Sequence, residues 1–98
     1  MIEPAHLPWA DLELFLAIAE TGSFSGAARR LRVTQPTVSR RVAALEELLG
    51  RPLFLRNVEG SRLTPEGERL LPAAEQMARC AAEVQRSMAS WSDALEGV

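Results

Sequence analysis

Cysteine, histidine and lysine are almost missing from this 98-residue chain: it holds one cysteine, Cys80, one histidine, His6, and no lysine. A lone thiol cannot close an internal disulfide, which excludes a disulfide-stapled secreted domain. One histidine and one cysteine far apart in sequence give no zinc-ligand spacing, so neither a metal nor another cofactor is expected. Long apolar runs are missing too. The longest, Leu14 to Ala19, is far short of the roughly 20 residues that cross a membrane. The start, Met1-Ile2-Glu3-Pro4, lacks the cationic region and apolar stretch of a signal peptide, so the expected location is cytoplasmic. No nucleophile–base pair, carboxylate dyad or phosphate loop can be recognised, and no enzyme activity is expected. Gly22, Gly26 and Gly50 fall at turns and caps and do not form a dinucleotide-binding fingerprint.

What is present is the composition of a globular chain, 47% apolar and 24% charged, with length for one core at most. So short a chain buries a modest fraction of its surface, and a partner subunit could add what the core lacks. The net charge of −2 hides a strong asymmetry. Residues 1–22 carry −4, residues 23–64 carry +5 through eight arginines, and residues 65–98 carry −3. A basic middle in an acidic chain is the electrostatic footprint of a surface that meets a polyanion. If the acids are held away from that middle in a dimer with four or more contacts per subunit, binding to such a polyanion should show a salt slope steeper than roughly −6.

Apolar spacing predicts four helices and a hairpin. Pro8 marks the start of the first, whose stripe is Leu12, Phe15, Leu16 and Ala19, with Thr21-Gly22 as its end. Ser23 or Ser25 can cap a short second helix through Ala27, Ala28 and Leu31. A turn at Arg32-Val33 leads to Thr34 as the cap of a third helix over 35–49, with Pro36 tolerated in its first turn and Gly50 at its end. Leu53-Phe54-Leu55-Arg56 and Arg62-Leu63-Thr64 read as two short strands, joined by a loop over 57–61. Thr64-Pro65-Glu66 then starts a long fourth helix. Its apolar positions Leu70, Ala74, Met77, Ala81, Val84, Met88, Trp91 and Leu95 alternate spacings of four and three, the pattern of a coiled-coil seam and hence of a dimer interface. Pro72 should bend this helix or remove one of its bonds.

Two short helices joined by a tight turn, the second with a polar, arginine-bearing face, suggest a helix-turn-helix beside a small hairpin wing. A helix fits the major groove of B-DNA, where residues near its N-terminus reach base edges. Gln35 suits adenine, Arg40 suits guanine, Ser39 can serve either, and Pro36 and Thr37 can touch a thymine methyl.

The stretch Ala19-Glu20-Thr21-Gly22-Ser23-Phe24-Ser25-Gly26-Ala27-Ala28-Arg29-Arg30-Leu31, followed by Val33-Thr34-Gln35-Pro36-Thr37-Val38-Ser39-Arg40, resembles the DNA-binding domain of LysR-type transcriptional regulators. The likeness continues through Leu45-Glu46, Leu49-Gly50, Pro52-Leu53-Phe54, Arg56 and Leu63-Thr64-Pro65-Glu66-Gly67, and spans roughly residues 7–90. It implies a mainly α fold: a winged helix-turn-helix over 1–64, then a linker helix over 65–98 that dimerises antiparallel with its mate. It implies sequence-specific binding to an inverted-repeat operator in double-stranded DNA, with 35–49 in the major groove and the wing, 53–63, on the backbone or in the minor groove. Gln35, Pro36, Thr37, Ser39 and Arg40 would lie near bases, and Ser25, Thr34, Arg41, Arg56 and Arg62 near the backbone. Glu59 departs from the basic wings of many members and argues against deep insertion. The family's larger C-terminal effector-binding domain is not in this chain, so the chain is expected to be a fragment ending at that boundary; the full-length protein could form higher oligomers.

Other residues carry plainer expectations. Phe15, Phe24 and Phe54 should be core rather than stacking platforms for bases. Trp9 should cover the end of the first helix, Trp91 should pack across a dimer, and Cys80 should be a partly shielded, inert thiol. Arg29 or Arg30 can pair with Glu20, and His6 should be exposed. A different class of function also fits the residues alone: a protein-interaction module whose seam is its function and whose basic middle is incidental.

Overall fold

The computed structural model describes residues 8–96, with side-chain surroundings as far as Trp91. His6, the first residues of the acidic N-terminal segment and the side chain of Leu95 lie outside the described residues. The elements run α1 (Trp9–Thr21), α2 (Phe24–Leu31), α3 (Gln35–Leu49), β1 (Phe54–Asn57), β2 (Gly60–Leu63) and α4 (Pro65–Glu96). This is the mainly helical winged helix-turn-helix with a long final helix that the sequence predicts.

Local chemistry sets most boundaries. Gly22 and Gly50 close α1 and α3 in the left-handed conformation, with φ of 78° and 71°, where a side chain would be strained. Ser23, not Ser25, caps α2: its hydroxyl accepts from the Gly26 N–H at 2.8 Å. Thr34 caps α3 and accepts from the Thr37 N–H. Arg32 takes φ 58° at the end of α2, and the Val33 N–H returns to the Ala28 carbonyl at 3.0 Å. That six-to-one bond makes the tight turn into α3 without a glycine.

The core differs from the predicted stripe in one respect. α1 buries Leu12, Leu14, Phe15, Leu16, Ala17 and Ile18, whereas Ala19 is half-buried. The reason is its position: α1 is the central element and packs against α2, α3, α4 and β2, so an apolar residue on almost any side is covered. Phe15, Phe24 and Phe54 join this core, with Phe54 meeting Phe15 at a tilt and Phe24 edge-on, at centroid distances of 5.4 and 5.9 Å. Trp9, at the start of α1, packs half-buried against it.

The hairpin is tighter than the sequence suggests. The register Phe54↔Leu63, Leu55↔Arg62, Arg56↔Ser61 and Asn57↔Gly60 leaves a two-residue loop, Val58 and Glu59, in place of the predicted 57–61. Asn57 Oδ1 accepts from the Glu59 N–H at 2.8 Å and closes the turn, while the Ser61 N–H donates to the Gly22 carbonyl at 2.9 Å and holds β2 against the α1–α2 turn. Leu53 stands before the strand, and Thr64 lies after it. The Thr64 hydroxyl donates to the Pro52 carbonyl and accepts from the Gly67 N–H, which starts α4. Gly67 is required there by close approach: a Cβ would sit 2.5 Å from the Leu53 carbonyl oxygen and 2.9 Å from Leu63 Cδ2. Gly67→Ala should therefore cost about 1–3 kcal/mol. Thermal unfolding should show a midpoint lower by about 4–8 °C per kcal/mol for a domain of this size; an unchanged midpoint would contradict the contact.

α4 is continuous through Pro72, which has no N–H to return to the Glu68 carbonyl. The molecule measures 54 × 31 × 20 Å. Among the described residues, no helix is long and apolar enough to cross a membrane and no cluster of His, Cys, Asp and Glu could hold a metal.

Candidate nucleic-acid interface

The first two turns of α3 have an apolar side and an open side. Val38 and Val42 are buried in the core. That anchors the helix and turns Gln35, Pro36 and Arg40 outward, all exposed, with Thr37 and Ser39 half-exposed beside them. The five base-contact candidates thus share the N-terminal half of one helix, though only three are freely open. A hydrogen-bond chain organises the end of that helix. Thr34 and Thr37 hydroxyls lie 2.8 Å apart, and Arg40 Nη2 donates to Thr37 Oγ1 at 3.4 Å. Thr34 therefore serves as a cap whose hydroxyl is already engaged. Across the turn, Ser25 Oγ donates to Gln35 Oε1 at 3.0 Å.

The wing supplies the next group. Arg56 is exposed, and its guanidinium carbon lies 4.1 Å from the centroid of the Phe24 ring. A guanidinium over an aromatic face is held electrostatically while its N–H groups remain free. Phe24 is itself locked edge-on against Phe54, so a core residue acts as the platform for a surface cation. Arg62 is exposed across the hairpin from Leu55. At the tip Val58 is fully exposed beside Glu59.

A contact absent from the sequence reading fixes the wing to α3. Glu46 Oε2 accepts from the Leu53 N–H at 2.6 Å and the Phe54 N–H at 3.2 Å. This carboxylate satisfies two main-chain donors at the entry to β1 and so sets where Arg56 stands relative to Arg40. No local pattern betrays it, because the partners lie seven and eight residues away around the Gly50–Pro52 turn.

The charges are less segregated than expected. Arg30 forms an ion pair with Glu20, and Arg41 donates to the Ala10 carbonyl at 3.0 Å and approaches Asp11 at 3.6 Å. Two acids of the N-terminal segment thus reach two arginines of the basic middle, because α1 is the element on which α2 and α3 pack. Arg41, a backbone-contact candidate, has a competing partner inside the chain. Arg29, Arg32, Arg40, Arg51, Arg56 and Arg62 remain exposed.

The seam on α4 divides in two. Ala74 is fully enclosed by the chain's own core, and Leu70 packs half-buried against it, as Leu71 and Ala78 do. Ala74 is therefore removed from the predicted dimer interface: the helix lies on α1 here, and a residue with no exposed surface has nothing to offer a partner. Ala81 is half-buried. Beyond it the seam is open, with Val84 59%, Met88 56% and Trp91 67% exposed; Met77 is 45% exposed. Cys80 is exposed rather than shielded, lying with Trp9, Met77 and Ala81 around a shallow apolar groove between α1 and α4.

Comparison with known proteins agrees with this geometry. The family described as bacterial regulatory helix-turn-helix protein, lysR family, matches residues 9–68. Relatives include an uncharacterized HTH-type transcriptional regulator of Mycobacterium bovis, 57% identical over 53 residues, covering 54% of this chain and 17% of that protein. The regulator TfdS of Cupriavidus pinatubonensis is 46% identical over 59 residues, covering 60% of this chain and 20% of that protein. The chain spans about a fifth of the length of these relatives. Among solved structures, the CbnR DBD in complex with DNA superposes with a TM-score of 0.74 at 36% identity, covering 86% of this chain and 98% of that one. The BenM DBD in complex with catB site 1 DNA gives 0.79 at 29%, covering 88% and 97%. With three helices, a two-stranded wing and a long final helix in this order, and the family pattern across residues 9–68, the chain belongs to the LysR family of helix-turn-helix transcriptional regulators and carries its DNA-binding domain.

Proposed function

We propose that the chain is the sequence-specific DNA-binding and dimerisation part of a longer transcription regulator. The observation that carries this reading is the shared exposure of Gln35, Pro36 and Arg40 on the first turns of α3, beside a wing bearing exposed Arg56 and Arg62. The start of α3 enters the major groove, where Gln35, Pro36, Thr37, Ser39 and Arg40 meet base edges. Thr34, Arg41, Arg56 and Arg62 approach phosphates, as does the main-chain N–H of Ser25 in the first turn of α2, where helical N–H groups have no intrahelical partner. The wing lies on the backbone or along the minor groove. Residues 1–64 form the DNA-reading unit and 65–98 the pairing helix. Two chains join antiparallel through Met77, Ala81, Val84, Met88 and Trp91, with Leu70 at the margin, and so present two α3 helices to an inverted repeat. The exposed apolar side chains of the outer seam support pairing, since a lone helix would leave them in water. The greater length of the relatives supports a further effector domain in the whole protein. A DNA partner would place it in the cytoplasm.

Salt tests the electrostatic part. Each phosphate neutralised contributes about −0.9 to the slope of log K against log salt on B-DNA. Arg30 is paired and Arg41 partly so, which lowers the slope from the value expected of fully segregated charge. With Arg56 and Arg62 engaged in both protomers, and Arg41 released in some, the slope should fall between roughly −3.5 and −5.5. Fluorescence anisotropy with a duplex selected from a random pool measures it; a slope near −1 would mean that this face does not meet the DNA backbone.

A further inference from the structure

Two apolar surfaces of α4 are left open by its own chain, at opposite ends of one stripe. The first is the groove between α1 and α4, walled by Trp9, Ala73, Gln76, Met77, Cys80 and Ala81. The second is the projecting end of the helix. Every side chain from Glu83 to Trp91 is exposed, and the stretch from Glu83 to Glu96 extends about 20 Å past the core, from the rise of an α-helix. Trp91 is the largest side chain on it and is 67% exposed.

We propose that the groove is the docking site for Trp91 of a second copy of this chain, an inference that rests on the pairing through α4 proposed above. The alternation of four and three divides the seam into two sets: Ala74, Ala81 and Met88 in one, Met77, Val84 and Trp91 in the other. In an antiparallel pair a residue of one set faces a residue of the other set in the partner. Two registers overlay the open seam, with Ala81 facing either Val84 or Trp91 of the partner subunit. In the first, the partner's Trp91 falls opposite Ala74; in the second, opposite Ala81. Both positions lie within the span from Ala73 to Ala81 that walls the groove, and both are alanines, which leave room for an indole. Ala74 itself is enclosed by the core, so in the first register the ring turns aside onto Ala73 and Met77, against Trp9. A parallel pair would set Trp91 beside its own copy at the far end and leave the groove in water. Antiparallel pairing covers both apolar surfaces at once and is therefore favoured. Because Trp9 begins α1, the partner's helix then touches the DNA-reading unit as well as α4.

Cys80 reports on the groove, because its thiol is exposed in the single chain. Its rate of reaction with a small aromatic disulfide is measured along a dilution series whose dimer fraction is read by sedimentation. The chains compared are the wild type, Trp91→Leu, Ala73→Glu and the double variant. With about nine-tenths of the wild type dimeric, the rate should fall about 10-fold, to that of the remaining monomer. Trp91→Leu keeps an apolar seam side chain but is too small to fill the groove. Its dimer Kd should rise by about 10-fold or more, and at equal dimer fraction Cys80 should react at nearly the monomer rate. Ala73 is exposed and off the seam, so Ala73→Glu puts a carboxylate in the groove wall alone and should weaken the dimer similarly. The double variant should be little weaker than either single one, as for two residues in one contact. An undiminished rate in the wild-type dimer overturns the docking and leaves pairing through the outer seam. Protection that survives Trp91→Leu shows a different group over the groove and overturns it too, as do additive losses in the double variant. A wild type that never dimerises overturns both this inference and the pairing on which it rests.

Discussion

Replacing Val84 and Met88 together by glutamate should leave the protein monomeric and weaken its binding to a two-half-site duplex by about 10²–10⁴-fold, the avidity lost when two linked sites become independent. Both side chains are more than half exposed in the single chain, so the protomer's own core does not depend on them and its thermal midpoint should hold. Paired across an antiparallel seam, the same positions would bring four carboxylates into an apolar contact, which a weakly stabilised helix pair cannot accommodate. Sedimentation reports the state of assembly and a titration with duplexes of one and two half-sites reports the linkage. A double variant that stays dimeric would move the interface elsewhere, to the inner groove beside Trp9 or outside these residues. A wild-type chain that is monomeric at tens of micromolar would remove it from this chain altogether.

Arg40→Ala and Arg56→Ala should fail in different ways. Arg40 lies exposed on the start of α3 with only a long contact to Thr37 at 3.4 Å, so its guanidinium is available for a guanine edge. Its loss should cost about 1–3 kcal/mol per half-site and relax preference at one base pair. Arg56 is steered by the Phe24 ring rather than by a base-facing helix. Its loss should weaken all duplexes alike and make the salt slope shallower by about 1 per site. Competition between selected and random duplexes at two salt concentrations separates the two patterns. Equal loss on both duplexes for Arg40→Ala would take it out of the set of base readers.

The contrast between these arginines shows how unevenly the interface can be read from the chain alone. Helix starts and ends were legible because they are local events: Ser23, Thr34 and Thr64 accept from main-chain N–H groups three residues on, and Gly22 and Gly50 take a left-handed conformation that others resist. The stretch from Thr34 to Arg40 was legible for the same reason, since one helix turn sets which of its residues lie outward once Val38 and Val42 are known to be apolar. By itself the sequence also carried the family resemblance, through its residue motifs between Ala19 and Gly67, and the mainly helical winged fold, through spacings within short segments.

Tertiary structure alone decided matters that depend on which segments meet. It placed α1 at the centre, so that almost all of its apolar residues are buried and its acid Asp11 reaches Arg41, and it chose Arg30 over Arg29 as the partner of Glu20. Charge counted along the chain cannot foresee this, because Coulomb interactions depend on distance in space. It gave Ala74 to the chain's own core and left Val84, Met88 and Trp91 open, although all four fit one heptad pattern. A periodic apolar stripe says that a helix face will be covered, and only the path of the neighbouring helix says by what. It also joined Glu46 to the strand entry, Arg56 to Phe24 and Ser25 to Gln35, contacts made across turns between residues that share no local pattern.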